Sequence, residues 1–569
     1  YVVVGIVLYW FWAFPYRAAL NYREEMQLFQ TGWSYFSDLA GRPAGMATYA
    51  GEFLTQFFCN YWIGSLVMTV LLLLFLLLCS GINRKFTVGT TKVAADFLAL
   101  LPLAAMWLCL GNATITLSFV VAMICSLAAA YSFKVSSPWA ARYLWMILGT
   151  AFLYWLAGPA VIVFTLLISA LVWKNGKSSP VGKITFTVVS ILWLAANVMI
   201  WSRFMPYPLS YQLIGIGYAM TPDTLDKWLL ITESLCVIVP IAVSFIGDTK
   251  QKIVLPAILA VVAVVSVIFY PKSYDKLTYR ILDYDYLVRA NDWEGILEYS
   301  DKHNPNLPLS VCATNLALGM TGQLDSRAFD YYQNTAEGLF PSFVKETLSS
   351  WTGGEVAFQL GMINTAQRFY FEGMEAIPNY NKSARALKRM AQTAIIRGDY
   401  EIARKYLGLL EKTLFYKKWA KENLELVKNP EHVAQHQEYG SVRAKMIDEQ
   451  YMFSEGELDK TFGQLYIKNP NNTLAIQYLI VYPLLQRDLN KFVQYMGVVA
   501  EQQPSYNPLL AQQAMAFISM KNGQPIPRQI VPAMVEQSLR EFAMAWTSKD
   551  PVRIEPYKRT LYHYLISDK

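Results

Sequence analysis

The chain has 569 residues, 54% of them hydrophobic, and a formal net charge of +7. Residues 1–270 carry 15 Lys/Arg and 9 Asp/Glu, whereas residues 271–569 carry 34 basic and 33 acidic side chains. The basic excess therefore belongs to the apolar half, which excludes a basic nucleic-acid-binding surface and points to membrane topology.

Apolar runs long enough to cross hydrocarbon, about 20 residues each, organise the first half. They lie near 1–16, 62–81, 94–110, 114–133, 143–157, 159–173, 184–202, 228–246 and 253–270, about nine spans in all. The chain starts at Tyr1, inside an apolar run, so a few upstream residues are expected to be absent and Tyr1–Tyr16 to be the rest of a first span. A cleaved signal peptide is the lesser alternative. The fifth and sixth runs are separated only by Gly158-Pro159, which allows a tight hairpin or one bent element.

Between the first two spans lies the stretch 21–62. Met26, Phe29, Trp33, Phe36 and Ala40 recur at spacings of three and four, which predicts an amphipathic helix lying in the membrane interface. Gly41-Arg42-Pro43-Ala44-Gly45 breaks it, and a second helix carries Glu52 and Gln56 one turn apart.

Lys and Arg collect in alternate connections: ten (Arg84, Lys85, Lys92, Lys134, Arg142, Lys174, Lys177, Lys183, Lys250 and Lys252) against five (Arg17, Arg23, Arg42, Arg203 and Lys227). The positive-inside rule makes the first set cytoplasmic. The 21–62 loop, the 203–227 connection and everything after Tyr270 then share the outer face, the periplasm of a bacterium.

Residues 271–569 read as helices throughout. Gly398–Tyr406 and, 37 residues earlier, Gly361–Phe369 resemble the second helix of a tetratricopeptide unit, with weaker echoes at Asn291–Leu297 and Gly456–Phe462. Pro378 and Pro470 sit where such helices would end. The resemblance covers roughly 280–520 and implies helix hairpins stacked into an α-solenoid, with a helical cap from about Arg528. The fold class expected is all-α: a polytopic transmembrane bundle, 1–270, followed by an extracytoplasmic repeat domain, 271–569.

Few motifs carry chemistry. Five of the six cysteines lie in or beside apolar runs, Cys312 is alone in the second half, and no CxxC occurs, so neither a disulfide framework nor a zinc cluster is expected. His432 and His436 are one turn apart, but Val-Ala-Gln between them lacks a metallohydrolase glutamate, and a solvated face is expected. No Gly-x-Ser-x-Gly elbow or Walker loop is present. The outer-face carboxylates are the better candidates: Glu24, Glu25 and Glu52 around the first loop, and Asp223, Asp226 and Glu233 at the start of the eighth span. An ionisable group as deep as Glu233 costs on the order of 2–3 kcal/mol unless it pairs or meets water. Asn197 is expected to face the same hollow, with Arg42, Arg203 and Lys227 offering positive charge to an anion. Each residue alone is equally compatible with an ordinary polar position at a membrane surface.

A long outer loop after the first span, opening with Glu24-Glu25 and holding interfacial helices, resembles the GT-C superfamily of membrane glycosyltransferases. The 203–227 connection and a soluble outer domain match its layout, though the second half lacks a Trp-Trp-Asp signature. The resemblance implies transfer of a sugar from a polyprenyl-phosphate-linked donor, with Glu24, Glu25 or Glu52 as general base. Arg42, Asn197, Arg203, Asp223, Lys227 and Glu233 would bind substrate, and a divalent cation on Glu24 or Glu25 would share the leaving group's charge. The phrase Gly-Met-Ala-Thr-Tyr-Ala-Gly-Glu-Phe-Leu-Thr-Gln-Phe-Phe at 45–58 also resembles an uncharacterised family of Bacteroidota inner-membrane proteins with repeat-bearing C-termini. Partners implied are the lipid bilayer, an isoprenoid-linked sugar and a periplasmic protein or glycan, not nucleic acid. The rival expectation is a non-catalytic membrane-anchored scaffold for envelope assembly or secretion.

Overall fold

The computed structural model describes residues 1–87, 92–175, 178–221, 226–245, 264, 275–378, 381–447 and 457–567. The ninth expected span (apart from Val264), Asp223, Lys177, Lys250 and Lys252 fall outside the described residues. Within them the fold is all-α, with one isolated bridge between Ile115 and Ala219. Two compact units form: Tyr1–Tyr279 with the short segments Pro378–Ala384 and Lys412–Lys417, and the remainder from Arg280 onward.

The first unit is built from α1 (Val2–Ala13), α2 (Arg17–Glu25), α3 (Trp33–Ala40), α4 (Gly45–Thr55), α5 (Tyr61–Phe86), α6 (Lys92–Leu98) and α7 (Leu100–Gly111). It continues with α8 (Leu117–Ser132), α9 (Trp139–Ala157), α10 (Val161–Asn175), α11 (Pro180–Ser202), α12 (Leu209–Ile214) and α13 (Lys227–Val243). Among the described residues, four stretches are long and apolar enough to cross a membrane: Tyr61–Phe86, Val93–Gly111, Trp139–Lys174 and Pro180–Ser202. A fifth follows if α1 and α2, bent by 67°, count as one. Leu117–Ser132 is apolar but shorter.

Capping fixes where these helices begin. Asn60 Oδ1 accepts from the backbone of Trp62 and Ile63 at 3.1 and 3.4 Å, while Arg84 and Lys85 complement the dipole at the far end of α5. Ser179 caps α11 with Pro180 in its first turn. α5, with 26 residues, is about 39 Å long. Of the hairpin and the bent element that Gly158-Pro159 allows, the hairpin forms: Arg142 at the start of α9 and Leu171 near the end of α10 line one cavity. The Phe164 ring also stands 3.1 Å from where a Cβ on Gly149 would be. Trp139–Lys174 thus doubles back at Gly158–Ala160.

α5, α8, α9, α10 and α11 run between two ends. At one, Lys85 Nζ donates to the Tyr131 and Phe133 carbonyls and Arg142 Nη2 reaches Ser178 Oγ at 3.2 Å. At the other, the Ala44 amide donates to the Tyr154 carbonyl at 3.4 Å, and Trp155 Nε1 donates to the Ala40 carbonyl at 2.8 Å.

The interfacial helix expected over 21–40 is two helices. α2 ends at Glu25, Met26 and Phe29 are buried, and α3 starts after Gly32, leaving Trp33 78% exposed. Tertiary packing of Phe29 against Tyr35, Tyr49 and Phe53 outweighs the continuous 3.6-residue pattern.

In the second unit one turn recurs. Asn291, Gly322, Gly361, Gly398 and Arg487 all take positive φ, each two residues before a new helix begins. The next amide closes a 6→1 bond each time, as in Met362 N to Ala357 O (2.8 Å) and Asp399 N to Ala394 O (2.9 Å), the Schellman ending of a helix. Helices Thr347–Leu360 and Ile363–Glu375 pack across one such turn. Buried ion pairs cross-link this unit: Arg385 Nη1 donates to both carboxylate oxygens of Asp285 at 2.8 Å, its guanidinium stacks on Trp351, and Arg389 meets Glu355 at 2.8 Å. His432 and His436 share no helix, because Pro430–Gln435 ends before His436, which instead caps Gln437–Lys445. Both are exposed.

Candidate functional site

Glu52 lies on α4, one turn after Thr48 on the same face. α4 lies so close to α8 that a Cβ on Gly51 would stand 2.6 Å from the Ser118 amide nitrogen, and this contact turns Glu52 toward a cavity of about 130 Å³. Gln27, Arg42, Thr116, Tyr207, Tyr211 and Asn381 also line it. Its roof is the 216–220 segment, pinned by Thr116 N to Tyr218 O (3.0 Å), Met220 N to Thr114 O (2.8 Å) and Thr116 Oγ1 to Gly217 O (2.5 Å). Gly217 has φ +87°, and a Cβ there would meet Thr48 Oγ1 at 2.7 Å, so only glycine closes the roof.

Tyr35 of α3 donates its hydroxyl to Glu52 Oε2. Glu52 is 5% exposed, and burial pushes its carboxyl up to about 7, against the opposing pull of the Tyr35 hydrogen bond and the Arg42 charge. Burial and the neighbouring carboxylate push the Tyr35 phenol far above its usual range, so it stays a donor. Half-ionised at neutral pH and aimed into a polar hollow beside a cation, Glu52 can take a proton from a bound hydroxyl.

Of the residues expected at the site, Arg42 and Glu52 come together here. Glu24 Oε1 accepts from Tyr416 Oη at 2.8 Å, and Glu25 is buried at the end of α2. Asn197 Nδ2 donates to the Trp193 carbonyl of its own helix at 2.8 Å. Arg203 and Lys227 stand exposed at the ends of α11 and α13, and Glu233 lies half-buried in α13; none of the three lines the cavity. A divalent cation needs several hard oxygen donors. Among the described residues no three Asp, Glu, His or Cys side chains gather to hold one.

The chain belongs to a family of unknown function (DUF6057), whose profile matches residues 1–567. Neither a curated protein nor a solved structure matches it. The match runs through both units, so residues of the cavity and of the recurring turns fall within one family.

Sequence reasoning missed Tyr35, Thr48, Tyr207, Tyr211 and Gly217. Tyr207 and Tyr211 had a signal, two tyrosines one turn apart beside Pro206 and Pro208 in the 203–227 connection. Tyr35 had none, because it lies off the aromatic stripe and meets Glu52 only through the α3–α4 fold.

Proposed function

We propose that the chain is a multi-pass membrane glycosyltransferase of GT-C type. It would draw a sugar from a polyprenyl-phosphate-linked donor at the outer face of a bacterial inner membrane, with Glu52 as general base. The carrying observation is the buried Glu52 carboxyl, pushed up to about 7 and sharing its cavity with Arg42. The acceptor hydroxyl gives its proton to Glu52 as its oxygen bonds to the anomeric carbon. The bond from that carbon to the phosphate oxygen breaks, and Arg42 meets the charge that grows on the departing phosphate. Thr48, Tyr207 and Tyr211 offer hydroxyls to orient the sugar. Nine crossings and a periplasmic repeat solenoid that holds the acceptor complete this proposal.

The test is surface glycosylation in cells carrying Glu52→Gln at matched membrane levels. A fall of about a hundredfold is expected, the usual weight of a general base. Glycosylation equal to wild type overturns the assignment, and loss only in Glu24→Gln or Glu25→Gln moves the base to α2. A membrane-anchored scaffold is the second reading, favoured by the turns recurring at Gly322, Gly361 and Gly398. Under it, glycosylation is indifferent to all three substitutions.

A further inference from the structure

At the end of the bundle away from Glu52, the helix ends build a second cavity, of about 680 Å³. It is walled by Lys85 of α5, Lys134 and Ser137 before α9, Arg142 of α9 and Ser178 before α11, with no carboxylate among its described residues. Lys85 is engaged by the carbonyls that end α8. Arg142 Nη2 donates to Ser178 Oγ at 3.2 Å, but its Nε is buried with no hydrogen-bond partner among the described residues. Lys174, one turn beyond Leu171 of the cavity wall, is in the same state. Its Nζ is buried 5.7 Å over the Phe86 ring and has no hydrogen-bond partner among the described residues.

The local sequence supplies no counter-charge. No Asp or Glu occurs between Asp96 and Asp223, and Asp96 is held by Arg84 at 2.6 Å and by Ser80. Half-buried cations with donors left over cost stability unless an anion meets them. Guanidinium forks and ammonium groups beside hydroxyls match phosphate oxygens in geometry and charge.

We propose that this cavity binds a phosphate mono- or diester, held by Lys134 and Arg142 with the Ser137 and Ser178 hydroxyls as further donors. Phe133 and Leu171 add an apolar side to the cavity, which suits a lipid headgroup with its acyl chains beside the helices. A soluble phosphorylated molecule presents the same chemistry. The site is independent of Glu52 and goes beyond the glycosyl-transfer proposal.

The test uses the full chain in neutral detergent, with bound lipid counted by native mass spectrometry. Phosphatidylglycerol and phosphatidylcholine are offered in equal amounts, and glycerol 3-phosphate is offered separately in a thermal-shift assay. Preferential retention of phosphatidylglycerol, weakened about fivefold for each cation removed in Lys134→Gln and Lys134→Gln/Arg142→Gln but unchanged in Lys521→Gln, identifies a headgroup site. Stabilisation by glycerol 3-phosphate without lipid preference, lost in the same variants, identifies a soluble ligand. Equal retention of both lipids with no response to glycerol 3-phosphate overturns the proposal on wild-type protein alone, whether or not the double variant folds. Retention of phosphatidylglycerol that is undiminished in a folded double variant overturns the assignment to this cavity.

Discussion

Replacing Glu52 by Gln tests the electrostatics of the cavity without reference to any substrate. The folded carboxyl titrates at about 7 against 4.5 for an unburied glutamate. Because the folded state holds this proton more tightly, the stability it contributes is fully present below pH 4.5 and is lost as pH rises through 7. At 1.36 kcal/mol per pH unit, the loss is roughly 3 kcal/mol by pH 8. Glu52 is 5% exposed, so solvent screening takes little from that figure. A glutamine side chain has the shape of the protonated acid and does not titrate. The Glu52→Gln variant should match wild type near pH 5 and melt higher at pH 8, by on the order of 6 °C for a unit of this size. Differential scanning fluorimetry of the purified chain at both pH values reads the effect. A constant offset between the two proteins from pH 5 to pH 8 refutes the claim that burial holds a proton on Glu52.

Tyr35→Phe removes a hydrogen bond to the ionised form, so the Glu52 titration should move up by about one pH unit, and Arg42→Gln should move it the same way; carboxyl infrared bands followed against pH report both. Gly398→Ala meets no atom within 4 Å but forces a side chain into φ +88°, and should cost about 1–2 kcal/mol in denaturant unfolding, while Asn291→Gly should recover part of such a cost. Asp285→Ala takes the carboxylate from Arg385 in the core and should destabilise the second unit by about 3 kcal/mol in the same assay. Burial would raise the Glu355 carboxyl, but Arg389, Gln359 and Tyr370 hold it below the usual carboxylate range. Its stabilisation is therefore present at neutral pH and lost as pH falls through that lowered value, and Glu355→Gln should flatten the acid limb of the stability curve.

The helical character of both halves and the presence of long apolar helices were legible from residue order, as was the gathering of Lys85, Lys134 and Arg142 at one set of helix ends, while four candidate spans stand among the described residues against nine expected. Each depends on local period, length and charge: 26 residues from Tyr61 to Phe86 form a long apolar helix wherever they lie, and Arg84 and Lys85 mark its end. Arg42 and Glu52 were legible as polar residues within the 21–62 stretch. Which carboxylate meets a cavity was not, because Glu24, Glu25 and Glu52 look alike in sequence and differ only in what folds over them. The contact of Gly51 with Ser118, the pinning of the 216–220 roof to Thr114–Thr116 and the reach of Tyr35 across from α3 join residues up to about a hundred positions apart. Such pairings have no period to read. They follow from side-chain packing, which broke the expected 21–40 helix between Met26 and Gly32 and turned one of three buried glutamates into the hollow.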